Sequence, residues 1–313
     1  MKSMKVVTYN IDGLPEKLDL LDLPWIFRPL VWIYRLIKGT TEITINDNQG
    51  KLGCIRKIGE YLCSSNSDII GLQEDFNYHN ELIKPLSFIY KFGTYSGGFS
   101  LSDLFSRIEW FSHFPLPRFK CDGLNIAVKN RIRILEEDII KWEKSYGYIG
   151  HSNDLLTQKG FRYYSLLIDD EVEVDIYILH LDADYYNPET CPDVSKDIEA
   201  RELQLQQLVS YIMNRGVNNP IIIMGDMNSS SEYSWDNENI KENLLDPVNS
   251  VKGLTIKQAF PDDHTISDVD RIYYINNSRL RNQIRPIECL YDTELKNLSD
   301  HIPLMARFIV SDI

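Results

Sequence analysis

The amino-acid sequence predicts an α/β protein in which two β-sheets pack face to face and helices flank them. Short apolar runs that end abruptly in turn or polar residues recur along the chain, and residues 221–224 before Gly225 are the clearest case. Such runs are typical of buried strands. Residues 52–62 and 198–213 instead place apolar side chains at helical spacing. Strands outnumber helices in this pattern, which favours two sheets over one.

The predicted strands are justified by their apolar runs and by the polar residues that end them. In order they cover residues 5–10, 68–73, 123–128, 161–168, 172–181, 221–224, 269–275 and 303–310. Residues 161–168 and 172–181 form a predicted hairpin around an acidic turn. The predicted helices cover residues 52–62, 80–86 and 198–213. We expect a polar, Asn-rich loop over 229–243 and a long irregular aromatic segment over 93–121.

The length and composition predict one domain. The chain has 313 residues, of which 43% are apolar, and it shows no repeat and no linker-like change of composition. We therefore expect a single domain over residues 1–313 with an aromatic-rich insertion at about 15–50. Within it, residues 18–37 are interrupted by charges and prolines and do not predict a membrane span. Their aromatic and arginine side chains suit either a membrane interface or packing on the domain.

The net charge and the spacing of the cysteines disfavour some classes of function. The net charge of −13 and the isoelectric point of about 5.0 disfavour a broad nucleic-acid surface, although bound metal ions can locally invert the sign. Five scattered cysteines without CxxC spacing predict reduced thiols, and only a Cys54–Cys63 pair is considered as a disulfide. The first apolar run is too short for a signal peptide, so we expect a cytoplasmic protein. A peripheral contact with a membrane through residues 18–37 is compatible with this expectation.

Candidate site residues stand at the ends of several predicted strands. They are acidic, amide or histidine side chains: Asn10, Glu74, His180, Asp182, Asp226, Asn228, Asp270, Asp300 and His301. Hard oxygen ligands suit Mg²⁺, and a histidine oriented by a carboxylate suits a general base near neutral pH. The chain has neither a thiolate set for zinc nor a GxxxxGK phosphate loop. These features predict metal-assisted phosphoryl transfer.

The series TYNIDG, LQED, HLD, GDMN, VDRIYY and LSDH resembles the endonuclease/exonuclease/phosphatase superfamily, in that order and over nearly the whole chain. The resemblance implies a four-layered sandwich and hydrolysis of phosphoesters with Mg²⁺, for which Mn²⁺ is a substitute. It implies that Glu74 is the principal metal ligand with Asn10 beside it, and that Asp300 completes the metal or water network.

The same resemblance implies roles for the remaining motif residues. His301 would be the general base that activates water, oriented by Asp270. Asp226 and Asn228 would position the nucleophile and the phosphate. His180 would contact the phosphate and stabilise charge in the transition state.

The segment around Lys159-Gly160, the GDMN motif and the SDH-x-P ending resemble bacterial neutral sphingomyelinases. This implies that Lys159 faces the phosphate and that the substrate is a phospholipid. The run QEDFNYH resembles uncharacterised secreted members of the superfamily, which implies that Tyr78 and His79 line the site. TYNIDGL resembles the tyrosyl-DNA phosphodiesterases. The alternatives to a sphingomyelinase-like phosphodiesterase are a nuclease or DNA-repair phosphodiesterase, an inositol-phosphate phosphomonoesterase and an inactive binding module.

Overall fold

The computed structural model describes residues 2–13, 47–76, 78–96, 122–146, 159–184, 193–260 and 269–312. Most of the predicted insertion at 15–50 and of the aromatic segment at 93–121 lies outside these residues, and all of 18–37 does.

Twelve strands and five α-helices are described. The strands are β1 (Lys2–Asn10), β2 (Ile69–Gln73), β3 (Tyr90–Phe92), β4 (Asn125–Lys129), β5 (Ile132–Lys141), β6 (Gly160–Ile168), β7 (Val172–His180), β8 (Ile221–Asp226), β9 (Leu254–Gln258), β10 (Asp270–Asn277), β11 (Asn282–Tyr291) and β12 (Leu304–Asp312). The helices are α1 (Asp47–Ser64), α2 (His79–Ile83), α3 (Ser195–Arg215), α4 (Ser234–Ile240) and α5 (Asp246–Ser250). A π-helical turn, Lys241–Leu245, joins α4 to α5, and a 3₁₀ turn, Thr293–Asn297, precedes β12.

The strands form two mixed six-stranded sheets. The first has the order β11-β12-β1-β2-β4-β3 and the second the order β5-β6-β7-β8-β10-β9. Within the first sheet β1 and β2 run parallel, and within the second β7 and β8 do, while their other pairings are antiparallel. The predicted α/β class with two packed mixed sheets is confirmed.

The alternation of side chains along the strands builds the layers. In β1, Met4 and Val6 point into the core between the two sheets, where they meet Ile178 and Met224 of the second sheet. Tyr9 points the opposite way, into the core beneath α1. Because each central strand is covered on both faces, its sequence is almost continuously apolar.

The helices cover the outer faces of the two sheets. Ile55 and Ile58 of α1 pack on the first sheet, and Leu205, Leu208 and Ile212 of α3 pack on the second. The predicted helical spacings in both segments are therefore confirmed. The result is a four-layered sandwich of helices, sheet, sheet and helices, as the resemblance implies.

Two parts of the sequence prediction were wrong. The strands β3, β5, β9 and β11 were not predicted, and each of them is an edge strand of its sheet. Their buried positions are few and irregular, so they contain no continuous apolar run. Much of the predicted loop 229–243 is helical, because Ile240, Leu244 and Val248 form a buried face that joins the core under the second sheet.

The described cysteines Cys54, Cys63 and Cys289 are free thiols, so the Cys54–Cys63 disulfide considered from the sequence is absent. Cys121 and Cys191 lie outside the described residues. Within the described part of the chain, no helix combines the length and the apolar character that crossing a membrane requires.

Candidate active site

The strand order brings the polar strand ends together. Asn10 pairs in register with Gln73 where the parallel strands β1 and β2 end, and His180 pairs with Asp226 where β7 and β8 end. Asp270 begins the antiparallel strand β10 opposite Asp226. Parallel neighbours end at the same edge of a sheet, so residues that are far apart in sequence meet at one end of the sandwich.

The Asn10 side chain lies at the centre of this cluster. Its Nδ2 lies 3.2 Å from Glu74 Oε1, 3.0 Å from Asp226 Oδ2 and 3.4 Å from His301 Nε2. Its Oδ1 accepts a hydrogen bond from the Asp12 backbone N–H at 3.0 Å. The carboxylates of both sheets and the C-terminal histidine therefore converge on one amide group.

His301 forms a dyad with Asp270. His301 Nδ1 lies 2.7 Å from Asp270 Oδ2, and this hydrogen bond sets the ring orientation and directs Nε2 towards Asn10 and Asp226. Burial lowers the pKa of His301, but the negative charges of Asp270 and Asp226 outweigh it and hold that pKa well above its usual value. In the absence of a cation these carboxylates therefore favour the protonated form of the ring.

Glu74 is the acidic group whose ionisation is most affected by its position. Burial raises the pKa of its carboxyl to about 7, although Lys159, the Asn10 hydrogen bond and His301 each lower it. Glu74 follows β2 directly and has a backbone φ of +59°, in the left-handed region. A negative charge at Glu74 is thus incompletely compensated by the residues around it.

His180 differs from His301 in protonation. Its side chain is buried, its Nε2 lies 3.4 Å from Asp226 Oδ2, and its Nδ1 has no hydrogen-bond partner among the described residues. Burial and the positive charge of Lys159 lower the pKa of His180 well below its usual value, against the pull of Asp226. The ring is therefore neutral at neutral pH.

Lys159 and Asn228 meet at the carbonyl oxygen of Leu181, the residue after β7. Lys159 Nζ donates to this oxygen at 3.1 Å and Asn228 Nδ2 donates to it at 2.8 Å. The Asn228 N–H also donates to Asp226 Oδ1 at 2.8 Å, closing a tight turn after β8. A shared acceptor therefore holds together two of the residues predicted to bind the phosphate. The positive charge of Lys159 also lowers the pKa of both Glu74 and His180.

Asp300 lies at the exposed edge of the convergent cluster, next to His301. Its side chain is 72% exposed, and its Oδ1 lies 3.9 Å from His301 Nε2. Tyr78 and His79, which the resemblance implies as site-lining, pack near the other face of the first sheet. There Tyr78 contacts the core beneath α1, and His79 Nδ1 lies 2.6 Å from Asp75 Oδ2.

Two positioning residues were missed from the sequence. Ser299 Oγ donates to the Asn10 carbonyl oxygen at 2.8 Å and accepts from the His301 N–H at 3.1 Å, linking the two ends of the chain. The Arg271 guanidinium donates to the carbonyl oxygens of Asp270 and Ser229, joining β10 to the loop after β8. Their places inside the LSDH and VDRIYY motifs were the available signal.

The donor set fits a divalent cation. One ligand atom each from Asp226, Asp270 and His301 lie within 4.8 Å of one another, and Glu74 adds a carboxylate that burial makes difficult to ionise. Oxygen-rich, acidic sites of this type bind Mg²⁺ or Mn²⁺, and thiolate ligands are absent from the cluster. A bound cation would compensate the negative charge that the surrounding residues leave unbalanced.

The comparisons with known proteins agree with this architecture. The model of the Endonuclease/Exonuclease/phosphatase family matches residues 7–301 of the chain. No curated protein sequence matches the chain.

Among solved structures, sphingomyelinase C from Streptomyces griseocarneus is 15% identical with a TM-score of 0.59, and the match covers 98% of this chain and 99% of that one. A mutant beta toxin from Staphylococcus aureus with bound magnesium ions is 15% identical with a TM-score of 0.60, covering 97% and 99%. TDP2 from D. rerio, complexed with a single-strand DNA product, is 15% identical with a TM-score of 0.60, covering 99% and 100%. At these identities the likeness establishes the fold.

Proposed function

The chain belongs to the Endonuclease/Exonuclease/phosphatase family of phosphoester hydrolases, and from this we propose that it is a Mg²⁺-dependent phosphodiesterase of sphingomyelinase-like type that cleaves a phospholipid headgroup. The observation that carries the proposal is the convergence of Glu74, Asp226 and His301 on the Asn10 amide. Three groups that each suit one part of phosphoester hydrolysis occupy one end of the sandwich.

His301 is the proposed general base. Asp270 holds its Nδ1, so Nε2 faces the centre of the site and accepts a proton from the attacking water. Asp226 lies 3.6 Å from the same Nε2 and stabilises the imidazolium that forms. Asp226 also orients the Asn228 amide through its hydrogen bond to the Asn228 N–H.

The remaining residues hold the phosphate and the cation. The neutral His180 ring and the Lys159 ammonium group are the proposed phosphate contacts, and Lys159 offers positive charge in an otherwise acidic site. Glu74 and Asn10, with Asp300 completing the network, are the proposed residues that hold the cation. A bound Mg²⁺ would neutralise phosphate oxygens and the leaving alkoxide and would oppose protonation of His301.

A phospholipid with a cationic headgroup suits the charge of the protein. The chain carries a net charge of −13. Aromatic faces attract quaternary ammonium groups, and a stacked, partly exposed pair, Tyr233 and Trp235, follows Asn228 with ring centroids 4.6 Å apart. The fold shared with sphingomyelinase C supports the same substrate class.

A substrate panel tests the proposal. Purified protein with Mg²⁺ is incubated with sphingomyelin vesicles, lysophospholipid, supercoiled DNA, a tyrosyl-DNA adduct and inositol phosphates. We expect release of the phospholipid headgroup by the native protein and its loss in Glu74→Gln. Sphingomyelin left intact while DNA is nicked would reject the phospholipid assignment and keep the phosphodiesterase chemistry.

The second candidate is a DNA phosphodiesterase. It is favoured by the TYNIDGL segment at the end of β1 and by the equal fold similarity to TDP2 complexed with a single-strand DNA product. The same panel separates it from the first candidate, because only the DNA substrates would then be cleaved.

Contact with a membrane surface through residues 18–37, and a cytoplasmic, membrane-peripheral location, remain proposals, since that segment lies outside the described residues. Deleting 18–37 is expected to weaken vesicle binding in a sedimentation assay while a soluble chromogenic phosphodiester is still cleaved. Unchanged vesicle binding would assign the segment to packing.

A further inference from the structure

Glu74 occupies a backbone conformation that its residue type does not favour. Its φ of +59° lies in the left-handed region, where the Cβ of an L-residue crowds the following carbonyl. Asn228, at φ +46°, shares this conformation, but asparagine adopts it comparatively readily because its short side chain bonds locally. Glutamate lacks that compensation, so contacts from outside the residue must hold Glu74 in place.

Gly13 supplies the first of these contacts. The β1–β2 pairing continues past the strand ends through a hydrogen bond from the Ile11 N–H to the Gln73 carbonyl at 3.1 Å, and this bond lays the chain at Gly13 against Glu74. A Cβ at Gly13 would lie 2.1 Å from the Glu74 carbonyl oxygen and 3.4 Å from the Phe76 nitrogen. Both are backbone atoms, so any side chain at position 13 would displace the turn that carries Glu74.

Asp75 supplies the second contact from the opposite side. The Phe76 N–H donates to the Glu74 carbonyl at 2.8 Å, forming a three-residue turn centred on Asp75. The Asp75 N–H donates to the Gly123 carbonyl at 2.8 Å, and Asp75 Oδ2 accepts from Asn125 Nδ2 at 3.1 Å. The centre of the turn is thus bonded through both its backbone and its side chain.

His79 completes this second contact. Its Nδ1 lies 2.6 Å from Asp75 Oδ2, and its ring stacks on Tyr95 with centroids 3.9 Å apart and planes within 9°. The Tyr95 hydroxyl in turn donates to the Phe76 carbonyl at 2.5 Å. His79 therefore holds the centre of the turn directly through Asp75, and it supports the Phe76 end indirectly through the ring stack on Tyr95.

From these contacts we infer that Gly13 and the Asp75–His79 pair are positioning residues that hold the Glu74 backbone in its left-handed conformation and so aim its carboxylate at the cation. This rests on the proposed function, in which Glu74 is a metal ligand. It assigns His79 a role in cation affinity through the backbone, with no contact to the substrate.

The test is calorimetric titration of Mg²⁺ into the full-length protein, with a thermal melt of each variant in Mg²⁺-free buffer. Gly13→Ala adds the obstructing Cβ, and His79→Phe keeps the ring stack on Tyr95 but removes the Nδ1 hydrogen bond. We expect each to raise the Mg²⁺ dissociation constant about 10- to 100-fold, the range typical of residues that orient metal ligands.

Two matched controls separate positioning from general destabilisation. Gly253→Ala adds a Cβ at a glycine with φ +95°, 3.0 Å from Ser278 Oγ, and this turn before β9 lies at the end of β10 opposite Asp270. Tyr90→Phe removes a buried hydrogen bond to the Ser67 carbonyl at the opposite end of β2. Both controls are expected to lower the melting temperature and to leave the Mg²⁺ dissociation constant unchanged.

The outcomes test the proposed function and the positioning role of Gly13 and His79 separately. A native protein that binds no Mg²⁺ overturns the proposed function, and the positioning role with it. If the native protein binds Mg²⁺ and Glu74→Gln weakens binding, a native dissociation constant in folded Gly13→Ala or in folded His79→Phe overturns the positioning role alone. His79→Phe decides the question if Gly13→Ala does not fold.

Discussion

Two polar clusters, one around Arg162 of β6 and one at the candidate active site, show how differently one protein can bury charge. At one cluster, Arg162 of β6 is fully buried and donates from Nε and Nη2 to the two oxygens of Asp122, each at 2.7 Å. At the candidate active site, the carboxylates of Glu74, Asp226 and Asp270 converge, and among the described residues His301 and Lys159 are the cationic groups that act on Glu74.

The consequence of this difference is visible in the pKa values. Burial lowers the pKa of Arg162, but Asp122 outweighs it and the net shift is upward, so the guanidinium stays charged. In the active site, burial prevails at Glu74 and raises its pKa to about 7. A matched buried ion pair is typical of a structural role, whereas an unbalanced buried carboxylate is typical of a site that binds a further charge.

The largest effect is expected from removing the base. His301→Ala should lower turnover of a soluble chromogenic phosphodiester by about 10²- to 10⁴-fold, because the proton acceptor for water is lost. Because His301 is also the partner of the buried Asp270 side chain, a thermal melt must show that the variant is folded at the assay temperature. Turnover within a few-fold of native would contradict the assignment of the base.

A substitution in the Arg162–Asp122 cluster should reduce the stability of the fold. Arg162→Met leaves Asp122 buried without its cation, and we expect the free energy of unfolding in urea to fall by about 3–5 kcal/mol. Retention of native stability would contradict a structural role for this ion pair.

Binding of Mg²⁺ should compensate the negative charge of the candidate active site and so make it more like the balanced Arg162–Asp122 cluster. At a Mg²⁺ concentration of 100 times the dissociation constant, ligand binding to the folded state stabilises it by about 2.7 kcal/mol. We expect this gain in denaturant unfolding of the native protein and its absence in Glu74→Gln. An equal gain in both would place the cation away from Glu74.

The smallest effect is expected where ion pairs are exposed. Arg133 Nε lies 3.0 Å from Asp170 Oδ1, with both side chains more than half exposed. Arg133→Met should therefore change the free energy of unfolding by less than about 1 kcal/mol, which makes it the control for Arg162→Met. If Arg133→Met lowers the free energy of unfolding as much as Arg162→Met does, burial does not explain why the two ion pairs differ in their contribution to stability.

The sequence was most informative for strands that are covered on both faces and for the polar residues at the ends of these central strands. The central strands β1, β2, β7 and β8 carry apolar runs that predict them directly. The edge strands could not be predicted, because half of their surface faces solvent and their pairing depends on a neighbour distant in sequence. The polar, Asn-rich composition of the segment after β8 predicts a loop, because it hides the buried face that Ile240, Leu244 and Val248 form in the helical structure.

What the sequence alone determined is the set of chemical groups: a buried strand ending in Asp226 and Asn228, a glutamate after another strand, and a histidine near the C-terminus. Only the tertiary structure decided that the two sheets bring Glu74, Asp226 and His301 within hydrogen-bond distance of the Asn10 amide, and that Asp300 stays largely exposed at the edge of this cluster. Only the tertiary structure also turned Gly13 and His79 towards the turn at Glu74. The physical reason is that side-chain chemistry is local, whereas burial, charge compensation and strain depend on contacts between segments more than 60 residues apart.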